Sequence, residues 1–141
     1  MSRGVKKYKD IESKLYKYYR DQKALEQKMK QKVFYEESKT KLEKMIKCYA
    51  EDEKKCDELS VHINSVKKQL MNLQKDILVT DLSVKNIQII ISKLNDEEKK
   101  FIKWRYSDGM SLYAIIEKFH YSAPTYYRIR NKILERLQQD M

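Results

Sequence analysis

Apolar side chains in the first half of the chain recur every three and four residues, the spacing of a helix with one buried stripe. A first series comprises Tyr8, Ile11, Leu15, Tyr18, Leu25 and Met29, with Gln22 in one of its slots. The rhythm fails at Lys32, Glu36 and Lys39. A second series, in a shifted phase, comprises Leu42, Met45, Tyr49, Cys56, Leu59, Ile63, Val66, Leu70, Leu73 and Ile77. This heptad pattern predicts coiled-coil helices.

The shift in phase coincides with a possible helix start at Thr40. Thr40 and Glu43 have the spacing of a capping box, in which the two side chains bond the first backbone amides of a helix. We therefore favour two helices, at about residues 5–36 and 41–79, folded as an antiparallel hairpin. One continuous helix paired with a second chain is the alternative, and the sequence leaves it open. The segment Val79–Ser83 is predicted to be a linker, with Asp81 or Ser83 capping a helix that runs to about Leu94.

Cap residues become frequent after residue 94 and predict three short helices. Asn95 suits the start of the first, and the acidic residues after it favour the positive end of a helix. Gly109 suits a left-handed helix end. Ser111 and Ser122 are the predicted caps of the second and third helices, which a short turn joins as in a helix-turn-helix. The predicted fold class is all-α, with a long coiled-coil region at residues 1–80 and a helix-turn-helix domain at residues 81–141.

The third short helix has a core-facing side and an outward side. Tyr126, Ile129, Ile133 and Leu137 share the first, whereas Pro124, Tyr127, Arg128 and Asn131 share the second. Arg128 and Asn131 can each form paired hydrogen bonds with base edges in the major groove, and Tyr127 can contact a thymine methyl group or a phosphate. Lys132, Arg130 and the helix start at Ser111 are expected to bind phosphates. The predicted DNA-binding residues are Ser111, Pro124, Tyr127, Arg128, Arg130, Asn131 and Lys132.

The composition agrees with long helices and a polyanionic partner. The chain has 2 glycines and 1 proline in 141 residues, too few for a protein built from strands and turns. It has 31 lysines and arginines against 21 acidic residues, a net charge of +10, which attracts nucleic acid or an anionic membrane. The longest apolar run, Ile89–Ile91, is far too short to span a bilayer. The charged segment at residues 1–10 has no apolar run behind it, and we expect a cytoplasmic, nucleoid-associated protein.

Nothing in the sequence predicts catalysis. Cys48 and Cys56 lie eight residues apart, roughly 12 Å along one helix, too far to form a disulfide and without metal-ligand spacing. His62 and His120 are isolated from other ligand types. There is no nucleophile–base pair and no phosphate-binding loop. We expect a protein that is not an enzyme and has neither cofactor nor metal.

The segment from Leu94 to Leu137 resembles region four of bacterial sigma factors, which contacts the promoter −35 element. It is also similar to the C-terminal domains of late-gene transcription activators of phages and prophages. The matching residues are Glu97, Glu98, Arg105, Tyr106, Gly109, Ser111, Ile115, Ser122, Thr125 and the basic tail to Leu137. Ile116 and His120 depart from the family, which has a small residue and a glycine there. The resemblance covers about residues 91–138, and implies a DNA-binding regulator with RNA polymerase as a partner.

Three functions are therefore weighed. The first is a sequence-specific transcription regulator, encoded by a phage or prophage, that binds double-stranded DNA and forms a homodimer or higher oligomer through its coil. The second is a DNA-packaging recognition protein similar to a small terminase, in which the coil builds a ring. The third is a coiled-coil scaffold whose terminal bundle binds only protein. The strong salt dependence of phosphate contacts separates the third from the first two.

Overall fold

The computed structural model describes residues 2–141, with side chains from residue 7 onward, and every regular element in this range is a helix. Two long helices, α1 (Ser2–Cys48) and α2 (Glu53–Ser92), precede the short helices. Helix α3 (Asp96–Ile102) continues into a π-helical turn (Lys103–Ser107) and is followed by α4 (Leu112–Phe119) and α5 (Ala123–Asp140). The predicted all-α class, with long N-terminal helices before a small helix-turn-helix bundle, is confirmed.

The turn between the long helices lies nearer the middle of the chain than predicted. Helix α1 continues without a break through residues 36–41 and ends at Cys48. The Thr40 hydroxyl donates to the Glu36 carbonyl oxygen at 3.0 Å, a bond that serine and threonine form inside helices, so the predicted capping box is wrong. The actual cap is Asp52, whose carboxylate accepts a hydrogen bond from the Lys55 backbone amide at 3.1 Å.

The predicted linker at Val79–Ser83 is also wrong, because these residues lie inside α2. The three- and four-residue rhythm of the second apolar series continues through the segment. Its next members after Ile77 are Thr80 and Val84, both of them buried. Continued burial on one stripe holds the segment in a helix despite its polar residues, so neither Asp81 nor Ser83 begins a new one.

The chain forms two compact units, of which residues 23–82 make up one. In this unit the two helices run antiparallel within one chain. Near the open end, Lys28 Nζ lies 3.0 Å from Asp76 Oδ2 and 3.2 Å from Thr80 Oγ1. Near the turn, Cys56 Sγ lies 3.9 Å from the Ile46 carbonyl oxygen. These contacts show that the two helices form a hairpin within one chain, and not one continuous helix that pairs with a second chain.

The other unit comprises residues 1–22 and 83–141. Its core contains residues from the first turns of α1 as well as from α2 and the short helices. The sequence placed residues 7–22 with the coil of residues 1–80, but here they share the core of the terminal helices. The buried members are Tyr8, Ile11, Leu15, Tyr18, Val84, Ile90, Ile91, Leu94, Phe101, Ile102, Tyr106, Ile115, Tyr126, Ile133, Leu134 and Leu137.

Candidate nucleic-acid interface

A capping box starts α3 and connects it to α5. Asn95 Oδ1 accepts a hydrogen bond from the Glu98 amide at 2.8 Å, and Glu98 Oε1 accepts one from the Asn95 amide at 3.0 Å. Glu98 is buried, and Arg136 Nη1 lies 3.1 Å from the same carboxylate oxygen. The prediction that Asn95 caps this helix is confirmed, and the ion pair orients α5 relative to α3.

Caps and left-handed turns also position α4 and α5. The Ser111 hydroxyl accepts from the Ala114 amide at 3.2 Å, and the Ser122 hydroxyl accepts from the Thr125 amide at 3.3 Å. Between the helices, His120 takes a left-handed conformation with φ of 58°. Gly109, ahead of α4, has φ of 67°. The caps and turns predicted from the sequence are confirmed, and they make α4 and α5 a helix-turn-helix pair.

The core-facing side of α5 agrees with its prediction. Tyr126, Ile133 and Leu137 are buried, and Ile129 is half-buried. Leu134 is buried as well, although it was not assigned to this side. The core extends around α5 to Leu134 because α1 also packs against this helix, as the contacts of Tyr8 and Glu12 below show.

The outward side of α5 is accessible in its first half. Pro124, Arg128 and Lys132 are exposed, and Tyr127 keeps 47% of its surface exposed. Arg128 and Lys132 are four residues apart, so their side chains are neighbours on the helix surface. Ser111, at the start of α4, is exposed too. These five predicted residues therefore have the accessibility that contact with a duplex requires.

Arg130 does not share the accessibility of the five residues above. Its Nη2 donates to Glu12 Oε1 at 2.8 Å, and the two side chains are only 13% and 17% exposed. Its guanidinium also lies over the Tyr8 ring, 5.5 Å from the centroid. Burial lowers the pKa of Arg130, but the Glu12 charge and hydrogen bond outweigh it and leave the pKa raised. A guanidinium held in this way is unsuited to phosphate binding, and the predicted role of Arg130 is corrected to a structural one.

Asn131 is coupled to this ion pair. It is half-buried, and its Oδ1 accepts a hydrogen bond from Arg130 Nη1 at 3.2 Å. The bond orients the side-chain amide and uses one of the two lone pairs of its oxygen. Asn131 is therefore less accessible than Arg128, three residues earlier, which makes Arg128 the stronger candidate for contact with bases.

Sequence patterns missed the residues of α1 that support α5. The Tyr106 hydroxyl donates to Glu12 Oε2 at 2.7 Å, and the Tyr8 hydroxyl donates to Glu135 Oε1 at 2.7 Å. Burial, followed by the bond to Glu12, raises the pKa of Tyr106, so its hydroxyl keeps the proton it donates. Tyr8 was predicted as a coil residue from its spacing, but no local signal connects it or Glu12 to a helix more than a hundred residues away.

Tyr113, in the first turn of α4, is a further residue that the sequence patterns missed. Its side chain is 79% exposed, the largest value among the exposed large hydrophobic residues of the described chain. The sequence did contain a pattern that predicts this exposure. The apolar stripe of α4 leaves Tyr113 on the outward side of the helix, because the stripe is formed by Leu112, Ile115 and Phe119. Near the start of a helix-turn-helix, the hydroxyl of an exposed tyrosine can donate a hydrogen bond to a phosphate oxygen.

The net positive charge of the chain lies mainly in the unit that contains these residues. Residues 1–22 and 83–141 have 18 lysines and arginines against 10 acidic residues, a net charge of +8. Residues 23–82 have 13 against 11, a net charge of +2. The positive field that attracts a polyanion is therefore associated with the unit that contains the helix-turn-helix, in which residues 1–22 and residues 83–141 each contribute a net charge of +4.

One family model, described as "Protein of unknown function (DUF722)", matches residues 44–139. The chain belongs to this family. The match covers the last five residues of α1, the turn before α2, and α2 to α5, so the DUF722 region includes the helix-turn-helix but not Glu12. No curated protein and no solved structure matches the chain.

The described part of this DUF722 protein, residues 2–141, has only helices as regular elements. None of its helices in residues 2–141 is both long and apolar enough to cross a membrane. Nor do the described side chains include a group of three or more histidine, cysteine or acidic residues arranged to hold a metal ion.

Proposed function

We propose that this protein is a sequence-specific DNA-binding transcription regulator of phage or prophage origin, in which α5 enters the major groove. The observation that supports this most is the exposed side of α5, where Arg128 lies between Tyr127 and the phosphate-binding candidate Lys132. Its place in the basic unit of the chain supports the proposal further. The resemblance to sigma region four adds the expectation that RNA polymerase is a partner.

Each exposed residue has a distinct part in the proposed complex. The Arg128 guanidinium is shaped for paired hydrogen bonds to the O6 and N7 atoms of guanine. Lys132 neutralises a phosphate, which gives affinity and register without base preference. The capped start of α4 at Ser111 presents backbone amides and the positive end of a helix to a second phosphate. Pro124 preorganises the first turn of α5, because its missing amide hydrogen needs no partner there.

Selection of bound fragments from sheared DNA, with the purified full-length chain, tests the proposal directly. We expect a recurring sequence motif among the recovered fragments. Affinity for a duplex that carries the motif should fall steeply as salt rises, by roughly tenfold or more between low and moderate salt, because phosphate contacts release counterions. Recovery of random fragments, or affinity that does not change with salt, would contradict the proposal.

A further inference from the structure

Residues 23–82 bury little apolar surface for a unit of their length. Of their described side chains, only Ile63, Leu70 and Thr80 are buried. On α1, the line of residues facing α2 includes Lys28, Lys32 and Lys39, with side chains 25%, 33% and 36% exposed. Lysine stems cover apolar surface but cannot fill a core. Two helices on their own make a thin layer, and a stable domain needs a second layer packed against it.

One side of this hairpin presents an uncovered apolar patch. It consists of Met29 and Val33 on α1 and Met71 and Leu78 on α2, and each side chain is 47–59% exposed. On both helices these residues are rotated roughly 65–130° from the interhelical contact line, in the same sense. Because the helices are antiparallel, the two rotations lead to the same side. The patch extends roughly 10 Å along α2, from Met71 to Leu78.

Charges at the edge of the patch favour a second copy of the chain as its occupant. A groove beside Val33 on α1 has a mixed charged lining, and the residues that carry the charges are Glu36, Glu37, Lys41 and Lys44. The Lys28–Asp76 and Ile46–Cys56 contacts set the alignment of the helices, which places Glu37 level with Lys67 on α2. A two-fold axis parallel to the hairpin would bring α1 of one copy onto α2 of the other. Glu37 then meets Lys67 twice, and Val33 meets Met71.

We infer that two hairpins pack through this patch and form an antiparallel four-helix bundle. The low net charge of +2 on residues 23–82 permits the association, whereas the +8 of the other unit would oppose it there. The same low charge and apolar surface make the patch unsuited to nucleic acid. The inference depends on the hairpin alone and does not require that the protein bind DNA.

The test is the mass of the full-length protein in solution, measured by sedimentation equilibrium at tens of micromolar. We expect the mass of two 17.1-kDa chains. Leu78→Lys should reduce this to one chain at the same concentration, because it places a charge in the patch. Val79→Lys is the matched control, since Val79 is 67% exposed but lies about 100° further around α2. That variant should remain a dimer, and far-ultraviolet circular dichroism should show that both keep their helices.

A charge exchange adds a test that loss of folding cannot imitate. Glu37→Lys should weaken the dimer, and Lys67→Glu added to it should restore the dimer. A wild-type mass other than that of two chains, or a dimer that survives Leu78→Lys, would overturn the inference. Its failure is distinct from that of the proposed function: a single chain that binds a selected duplex contradicts only the dimer, whereas a dimer without DNA affinity contradicts only DNA binding.

Discussion

Glu12 on α1 and Arg130 on α5 form an ion pair with a distance of 2.8 Å between Oε1 and Nη2. The other oxygen of Glu12 accepts the Tyr106 hydroxyl at 2.7 Å, so one carboxylate connects three helical segments. The contact joins residues 118 positions apart. It holds the helix that we propose enters DNA against the first turns of the chain.

Replacement of Glu12 should destabilise the protein more than replacement of a solvated partner. Glu12→Gln leaves the Arg130 charge largely buried without its counter-ion, and we expect a loss of about 2–3 kcal/mol in the free energy of unfolding. Urea titration followed by circular dichroism measures it. Asp140→Asn is the control, because the Lys93–Asp140 pair is 58% and 42% exposed and should contribute little. Equal losses in the two variants would show that the Glu12 ion pair has no special part in stability.

The buried hydroxyl of Tyr106 should make the protein sensitive to alkali. Burial and the bond to Glu12 raise the pKa of Tyr106 above its ordinary value of 10.0. The unfolded chain therefore loses this proton first as pH rises. The resulting stabilisation is fully present below pH 10 and declines above it. Tyr106→Phe should be less stable at pH 7 but should lose less stability between pH 9 and 11 than the wild type. Parallel pH profiles of the two proteins would contradict this account.

The left-handed residues flanking α4 should respond to substitution in opposite directions. His120, with φ of 58°, takes a conformation that costs a side chain energy, so His120→Gly should raise the free energy of unfolding by about 0.5–1 kcal/mol. Gly109 has φ of 67°, and a Cβ there would meet no atom within 4 Å. Gly109→Ala should therefore lower stability by about 1 kcal/mol through backbone strain alone. Thermal unfolding measures both, and a His120→Gly variant less stable than the wild type would contradict the argument.

Lys132 should contribute affinity without sequence preference. Lys132→Ala is expected to weaken binding to selected and unrelated duplexes by a similar factor. It should also reduce the slope of log affinity against log salt by about 1. Fluorescence anisotropy across a salt series gives both quantities. Lys9→Ala, in the same unit but on α1, serves as a control for the simple loss of one positive charge. A loss confined to the selected duplex would assign Lys132 to base contact instead.

The parts of the fold that depend on local chemistry could be predicted from the sequence. Asn95, Ser111 and Ser122 begin helices because their side chains bond amides three residues ahead, and Gly109 ends one through its backbone freedom. The apolar series from Cys56 to Ile77 likewise predicted the side of α2 that faces α1. Short-range rules were sufficient for these features, although the same rules wrongly placed a helix start at Thr40.

The errors arose where distant contacts override local signals. Helix α1 continues past Lys32 and Lys39, although the apolar rhythm fails there, because long lysine stems are tolerated in the hairpin contact. Val79–Ser83 stays helical because Thr80 is buried. Arg130 was predicted to bind a phosphate because its actual partner, Glu12, lies in a segment that the sequence pattern assigned to the coil. No pattern within α5 distinguishes a guanidinium that meets a carboxylate from one that meets phosphate.

The most direct test of DNA recognition by α5 is the affinity of wild type and Arg128→Ala for a selected duplex and for the same duplex with its motif scrambled. We predict that the wild type prefers the selected duplex. Arg128→Ala should lose about 1–3 kcal/mol on that duplex and little on the scrambled one, so that most of the preference disappears. A variant that keeps the wild-type preference, with circular dichroism showing an intact fold, would contradict the assignment of this side of α5 to DNA.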